Sequence, residues 1–229
     1  MKFLIAAIIA GCCIAIPVRA QQTSLEKLVQ ETQQVAHERE RAVLVWWIPT
    51  EFWARSLESS PNLSARVSEQ FLAVVRNYTI VAVLDGKLSP VGGVQGLSKE
   101  QIEETISLES KGIVLRPLAN EELSADITTL LQMMRPFIAN MLGQLGQNVH
   151  FIVFKGEAPD GTRYADPTRP GRLKVTLSER VFEWKLPLAA LLPTQFDPET
   201  GDAFPGNYRY SPFTGKTLSA TPPAARTQN

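Results

Sequence analysis

Every position of the run Ala-Val-Leu-Val-Trp-Trp-Ile-Pro, residues 42–49, is apolar. Drawn out as a strand, such a run has nothing polar to show to water on either face, so it demands a sheet covered on both sides. Two further segments read as strands of the same core. Residues 78–86, Tyr-Thr-Ile-Val-Ala-Val-Leu-Asp-Gly, form one that the Asp-Gly pair is expected to end in a turn, and residues 149–154, Val-His-Phe-Ile-Val-Phe, form a central one.

Helical spacing fills much of the space between these strands. Thr23-Ser24-Leu25-Glu26 resembles a capping box, and Leu25, Leu28, Val29, Thr32 and Val35 follow at helical intervals, predicting a helix to about Arg41. Thr50 is placed to cap a short helix through Leu57, and Val67, Phe71 and Val74 mark another. Ser98 with Gln101 repeats the capping pattern before two short strands joined at Ser110-Lys111-Gly112. From Ser124, the residues Ile127, Leu131, Met134, Ile138, Met141 and Leu145 form one apolar stripe, which Pro136 must kink or restart. Alternation at 173–177 and 182–186 predicts a half-buried hairpin.

Strands that do not alternate with helices argue against a doubly wound sheet. The expected fold is α+β: mainly an antiparallel β-sandwich, Ig-like, with N-terminal helices and an inserted long amphipathic helix. Residues 21–195 form the body, 196–218 a separate tail, and 219–229, which lack any core former, a disordered end.

The first 20 residues read as a signal peptide: Lys2, an uncharged apolar run, Pro17, and small residues ending at Ala20. The run is too short for a membrane anchor. A competing pattern, Ile9-Ala10-Gly11-Cys12, resembles a lipoprotein box and would make Cys12 a lipid anchor. Either way the chain is expected to be exported, to the periplasm or beyond. Cleavage at Ala20 removes Cys12 and Cys13, the only two cysteines, and leaves 21 basic residues against 23 acidic. That balance offers no basic stripe for nucleic acid.

Near the C-terminus a knuckle occurs twice. Asp197-Pro198-Glu199-Thr200-Gly201 matches Ser211-Pro212-Phe213-Thr214-Gly215. The pair resembles the Cys-Pro-x-Cys-Gly knuckles of zinc ribbons, with Asp197, Thr200, Ser211 and Thr214 where the thiolates would stand. One carboxylate and three hydroxyls are poor zinc ligands, so the resemblance implies a ribbon-like shape without its metal. Together with "IVAVLDGKLSP", "HFIVFKG" and "FEWKLPLAALLP", it is similar to a group of exported bacterial proteins, which implies export and fold but no activity.

Chemistry-bearing residues are few. His37 and His150 are the only histidines and are far apart, so no triad and no histidine metal site is legible, and no cofactor is expected. Glu103-Glu104 and Glu121-Glu122 read as solvated surface. Met133, Met134 and Met141 on the long helix, with Arg163 and Asp166 on the loop that follows 149–154, are the candidate partner surface. Trp46, Trp47 and Trp53 are either core or a platform for carbohydrate. The leading expectation is a non-catalytic exported protein that binds a protein partner or cell-envelope component. A carboxylate-dependent hydrolase and a carbohydrate-binding module are the alternatives.

Overall fold

A computed structural model describes residues 18–38, 40–58, 64–88 and 94–223. The lipidation position Cys12, the apolar leader run and residues 224–229 lie outside the described residues. The fold is α+β, with mostly antiparallel sheets and five α-helices among the described residues.

The chain opens with α1 (Val18–Thr32), followed directly by β1 (Gln33–Glu38) and β2 (Arg41–Ile48). This corrects the expected helix to Arg41, and the expected start at Thr23-Ser24 lies inside α1. At the end of the helix the Thr32 hydroxyl donates to the Leu28 carbonyl at 2.8 Å and accepts from Trp46 Nε1 at 3.1 Å. The next six residues then pair in register with β2, from Gln33 opposite Trp46 to Glu38 opposite Arg41. Tertiary pairing with a strongly apolar strand overrides the helical pattern of 33–38.

Two helices follow, α2 (Thr50–Glu58) and α3 (Ala65–Arg76), then β3 (Tyr78–Leu88), the backbone of the larger sheet. One edge of β3 pairs with β2 over its length. Its other edge is shared by β4 (Val94–Gly96) and β7 (His150–Lys155). The Asp-Gly pair does not end the strand as expected. Asp85 sits inside β3, opposite Val43 and fully buried, where Arg41, two residues along β2, grips both carboxylate oxygens at 2.6 and 2.7 Å.

The second sheet has the order β6 (Ile113–Leu115), β5 (Ile106–Ser110), β8 (Gly171–Leu177), β9 (Arg180–Leu186), with every pairing antiparallel. The capping box predicted at Ser98 with Gln101 is present and starts α4 (Lys99–Thr105). The hairpin joined at Lys111-Gly112 forms as the sequence indicates. The long helix also forms, as α5 (Ala125–Leu142), capped by Ser124 and carrying Pro136 inside it, but it stops at Gly143, so Leu145 of the expected stripe lies in the 3-10 turn that follows.

The neighbouring tryptophans of β2 show why its run is apolar throughout. Trp46 meets Phe52 of α2 edge-on at 5.2 Å, on the helical side. Trp47, which points the opposite way along the strand, meets Trp184 of the second sheet at 6.1 Å. Helices cover one face of the larger sheet and β9 meets the other. A buried tryptophan removes on the order of 200 Å² from water, about 5 kcal/mol of transfer free energy. Among the described residues no helix is long and apolar enough to cross a membrane.

Candidate binding surface at the C-terminal knuckle pair

The tail begins with β10 (Gln195–Phe196), which pairs with β11 (Ala203–Phe204) around the first knuckle. The Glu199 and Thr200 amides donate to Asp197 Oδ1 at 2.8 and 3.2 Å, and the Gly201 amide to the Asp197 carbonyl at 2.9 Å. Fourteen residues on, the pattern repeats atom for atom. The Phe213 and Thr214 amides donate to Ser211 Oγ at 3.3 and 3.2 Å, and the Gly215 amide to the Ser211 carbonyl at 2.9 Å. Each knuckle closes alike, the Asp197 amide on the Asp202 carbonyl and the Ser211 amide on the Lys216 carbonyl. Gly201 and Gly215 take φ of 80° and 70°, the left-handed turn that ends each knuckle and that a β-carbon would strain.

The knuckles meet at the Asp197 carboxylate. Thr214 Oγ1 donates to Asp197 Oδ2 at 2.6 Å, and Asp197 and Ser211 are both buried. Hydrogen bonds from the Ser211 and Thr214 hydroxyls, with the amides of its own turn, hold the Asp197 carboxyl down at about 2. Thr200, the fourth of the matched positions, turns its hydroxyl away to Asp202 Oδ2 at 2.7 Å and contributes only its amide. Among the described residues no three His, Cys, Asp or Glu side chains are grouped as metal ligands would be.

On this frame sit four aromatic rings. Phe204 stacks on Tyr208, 6.3 Å between centroids and 19° between planes, and lies 6.0 Å from Phe213. Tyr208, Tyr210 and Phe213 are 47, 63 and 80% exposed. Phe204, Tyr208 and Phe213 form one cluster, with exposed Tyr210 in the same tail, and large apolar surface left in water marks a binding surface. The sequence reading missed these residues, since their spacing also suits a small core. What could have found them is that the tail is too short to bury them.

A groove of about 800 Å³ separates this ledge from the body, with Phe204 and Pro205 on one wall and Lys27, Glu31 and Arg55 on the other. The Glu31 carboxylate receives the Ala189 and Ala190 amides at 2.6 and 2.8 Å, and Arg55 donates to the Ala190 carbonyl at 3.0 Å. Gly206 lets the tail approach the body: a β-carbon there would stand 2.4 Å from Leu192 Cβ and 2.7 Å from the Pro193 carbonyl oxygen.

The residues predicted from sequence are distributed elsewhere. Met133 is exposed on α5, Met134 packs partly on the core, and the Met141 side chain lies outside the described ones. Arg163 grips Glu51 of α2 at 2.7 and 3.3 Å, so it is bound within the chain, and burial is opposed by that hydrogen bond strongly enough to raise its pKa. Asp166 accepts the Thr168 amide and hydroxyl at 3.0 and 2.7 Å, and its pKa falls because these bonds outweigh burial. Trp46, Trp47 and Trp53 are buried in the core, so the alternative of a carbohydrate platform finds no exposed ring there. His150 is half-buried in a small cleft beside Arg135, where burial and that guanidinium lower its pKa. The His37 side chain lies outside the described ones. Glu103 pairs with Lys99 at 3.2 Å, and Glu122 caps the Ala119 amide at 2.7 Å.

No protein-family model, curated protein or solved structure matches the chain.

Proposed function

We propose that this is a non-catalytic exported protein that acts by docking a protein partner on the aromatic ledge of its knuckle pair, with the adjoining groove receiving part of that partner. The observation that carries the reading is the exposure of Tyr208, Tyr210 and Phe213 on a frame fixed by hydrogen bonds. Exposed Arg209 lies between the two tyrosines, and Tyr, Phe and Arg are the residue types enriched at protein interfaces. Catalysis by paired carboxylates is less well supported. Glu31 in the groove has both oxygens occupied by backbone amides, and Glu51 is held by Arg163.

Export to the periplasm rests on the leader pattern and on the zinc-ribbon-like resemblance of the tail. We read the two larger sheets as an open sandwich, of which the Ig-like form is one version. The Trp47–Trp184 contact and the facing rows of buried residues support that reading.

The test is site-specific photo-crosslinking in intact cells from position 213, with exposed Val181 on the second sheet as control. A discrete protein adduct from position 213, lost on Tyr210→Ser and absent from position 181, is the expected result. Equal labelling from both positions, or no adduct, refutes the docking role. Labelling of polysaccharide alone transfers the ledge to the carbohydrate reading.

A further inference from the structure

The bond expected to be cut when the leader is removed, Ala20–Gln21, lies in the first turn of α1, which begins at Val18. Cutting there leaves a chain that starts Gln21-Gln22-Thr23-Ser24-Leu25-Glu26. Thr23 with Glu26 has the spacing of a capping box, so the shortened helix carries a start signal of its own. Beyond that signal the helix is held by packing: Leu25 lies against the core, and Leu28 and Thr32 are fully buried. Gln21 then stands ahead of the cap, outside the hydrogen-bonded ladder, and bears the new α-amine.

We propose that Gln21 is a modification site: once the leader is gone, its α-amine closes on its own side chain to give an N-terminal pyroglutamate. The inference rests on cleavage after Ala20, the same leader reading that supports export. An α-amine titrates at about 8, so part of it is the neutral nucleophile at neutral pH. Its lone pair attacks the side-chain carbonyl carbon Cδ. The N–Cδ bond forms and the Cδ–Nε2 bond breaks; the departing nitrogen takes a proton from the attacking amine and leaves as ammonia. The product is a five-membered lactam, and no oxidant, reductant or second substrate takes part. Closure also removes the terminal positive charge. A cation beside a helix N-terminus opposes the macrodipole, so the neutral lactam favours the start of α1. The consequence reaches the groove, because Glu31 on the same helix holds the Ala189 and Ala190 amides at 2.6 and 2.8 Å. A lactam offers no free amine to an aminopeptidase, so the helix that carries Glu31 is protected from trimming at its first residue.

The test is to express the whole chain, leader included, in a bacterial host and to measure the exported protein. Intact mass and tandem mass spectrometry of the first peptide are the readouts, with the work-up kept cold so that closure in the tube does not count. A mass equal to residues 21–229 less one ammonia, with the loss located at Gln21, is the expected result. Gln21→Asn is the control, because closure there would need a strained four-membered ring. This variant should start at residue 21, keep its full mass, and be trimmed by an aminopeptidase that leaves the wild type intact. A wild-type chain that starts at Gln21 with a free amine overturns the modification and leaves the leader reading standing. A chain that starts elsewhere, or carries lipid on Cys12, overturns both. An ammonia loss that persists in Gln21→Asn places the reaction at another residue and overturns the assignment.

Discussion

Replacing Thr32 by valine tests how the first helix hands over to the sheet. The side chains are nearly the same size, so the substitution removes a hydroxyl and little else. That hydroxyl is fully buried, donates to the Leu28 carbonyl at 2.8 Å, and accepts the Trp46 indole N–H at 3.1 Å. The carbonyl keeps its place at the helix end, but the indole N–H is left buried without an acceptor. Such an orphan costs about 1–3 kcal/mol. Taking the middle of that range, a domain of this size should melt roughly 4–8 °C lower. The assay is urea denaturation followed by circular dichroism, because tryptophan fluorescence would itself respond to the change. A double-mutant cycle with Trp46→Phe isolates the bond. Trp46→Phe alone leaves Thr32 satisfied by Leu28, so a coupling of about 1 kcal/mol between the two changes is expected. The comparison is sharpened by Trp53 and Trp184, whose buried indole nitrogens already lack partners. If Thr32→Val is neutral, a partnerless indole is cheap in this core, and the bond is not what ends the helix.

Removing Arg41 strands the buried Asp85 carboxylate, so Arg41→Ala should destabilise by about 3 kcal/mol, and Arg41→Ala with Asp85→Ala by less, both read from denaturation midpoints. Gly206→Ala forces backbone and Leu192 apart at a cost of about 1–3 kcal/mol. Hydrogen exchange should rise across 196–219 while β2 and β3 stay protected. The Asp197 carboxyl, ordinarily near 3.8, is held at about 2 by the fold, so its stabilisation is complete above the ordinary value and disappears as pH falls through about 2. The protection factors of the 199–201 and 213–215 amides, exchange rates taken relative to the free peptide at the same pH, should therefore match at pH 7 and 5 and fall only in strong acid. Loss of their protection near neutral pH would refute this.

The core was legible because its signals are redundant: three long apolar runs leave their strands nowhere to lie but in a covered sheet. Residues 33–38 were not, because Gln-Gln-Val-Ala-His-Glu contains good helix formers and continues a helical stripe; only the presence of β2, eight residues on, makes a strand the better solution. Asp85-Gly86 misled for a related reason. A turn is the local preference of that pair, and a buried strand becomes tolerable only when Arg41 neutralises the carboxylate across the sheet. The knuckles were legible from Pro and Gly spacing alone, since turn chemistry is local. Which tail aromatics face water is decided by how little surface a segment of that length can bury, and no spacing rule carries that information.

That shortage of buried surface bears on the function proposed for the tail. A segment of some two dozen residues buries too little apolar area to hold a shape by itself, and small units of this kind rely on a metal, a disulfide or docking. Here the Asp197 centre and the close contact at Gly206 do the holding. Because neither draws on Tyr210 or Phe213, those rings are left exposed at 63 and 80%. Rings that do not hold the fold are free to be replaced without loosening it. Serine at both positions should therefore leave the melting temperature within about 1 °C of wild type, as surface substitutions do, and Tyr210→Ser alone should abolish the photo-adduct formed from position 213. A large drop in stability would show that the rings belong to the fold, and the ledge would lose its claim to be a docking surface.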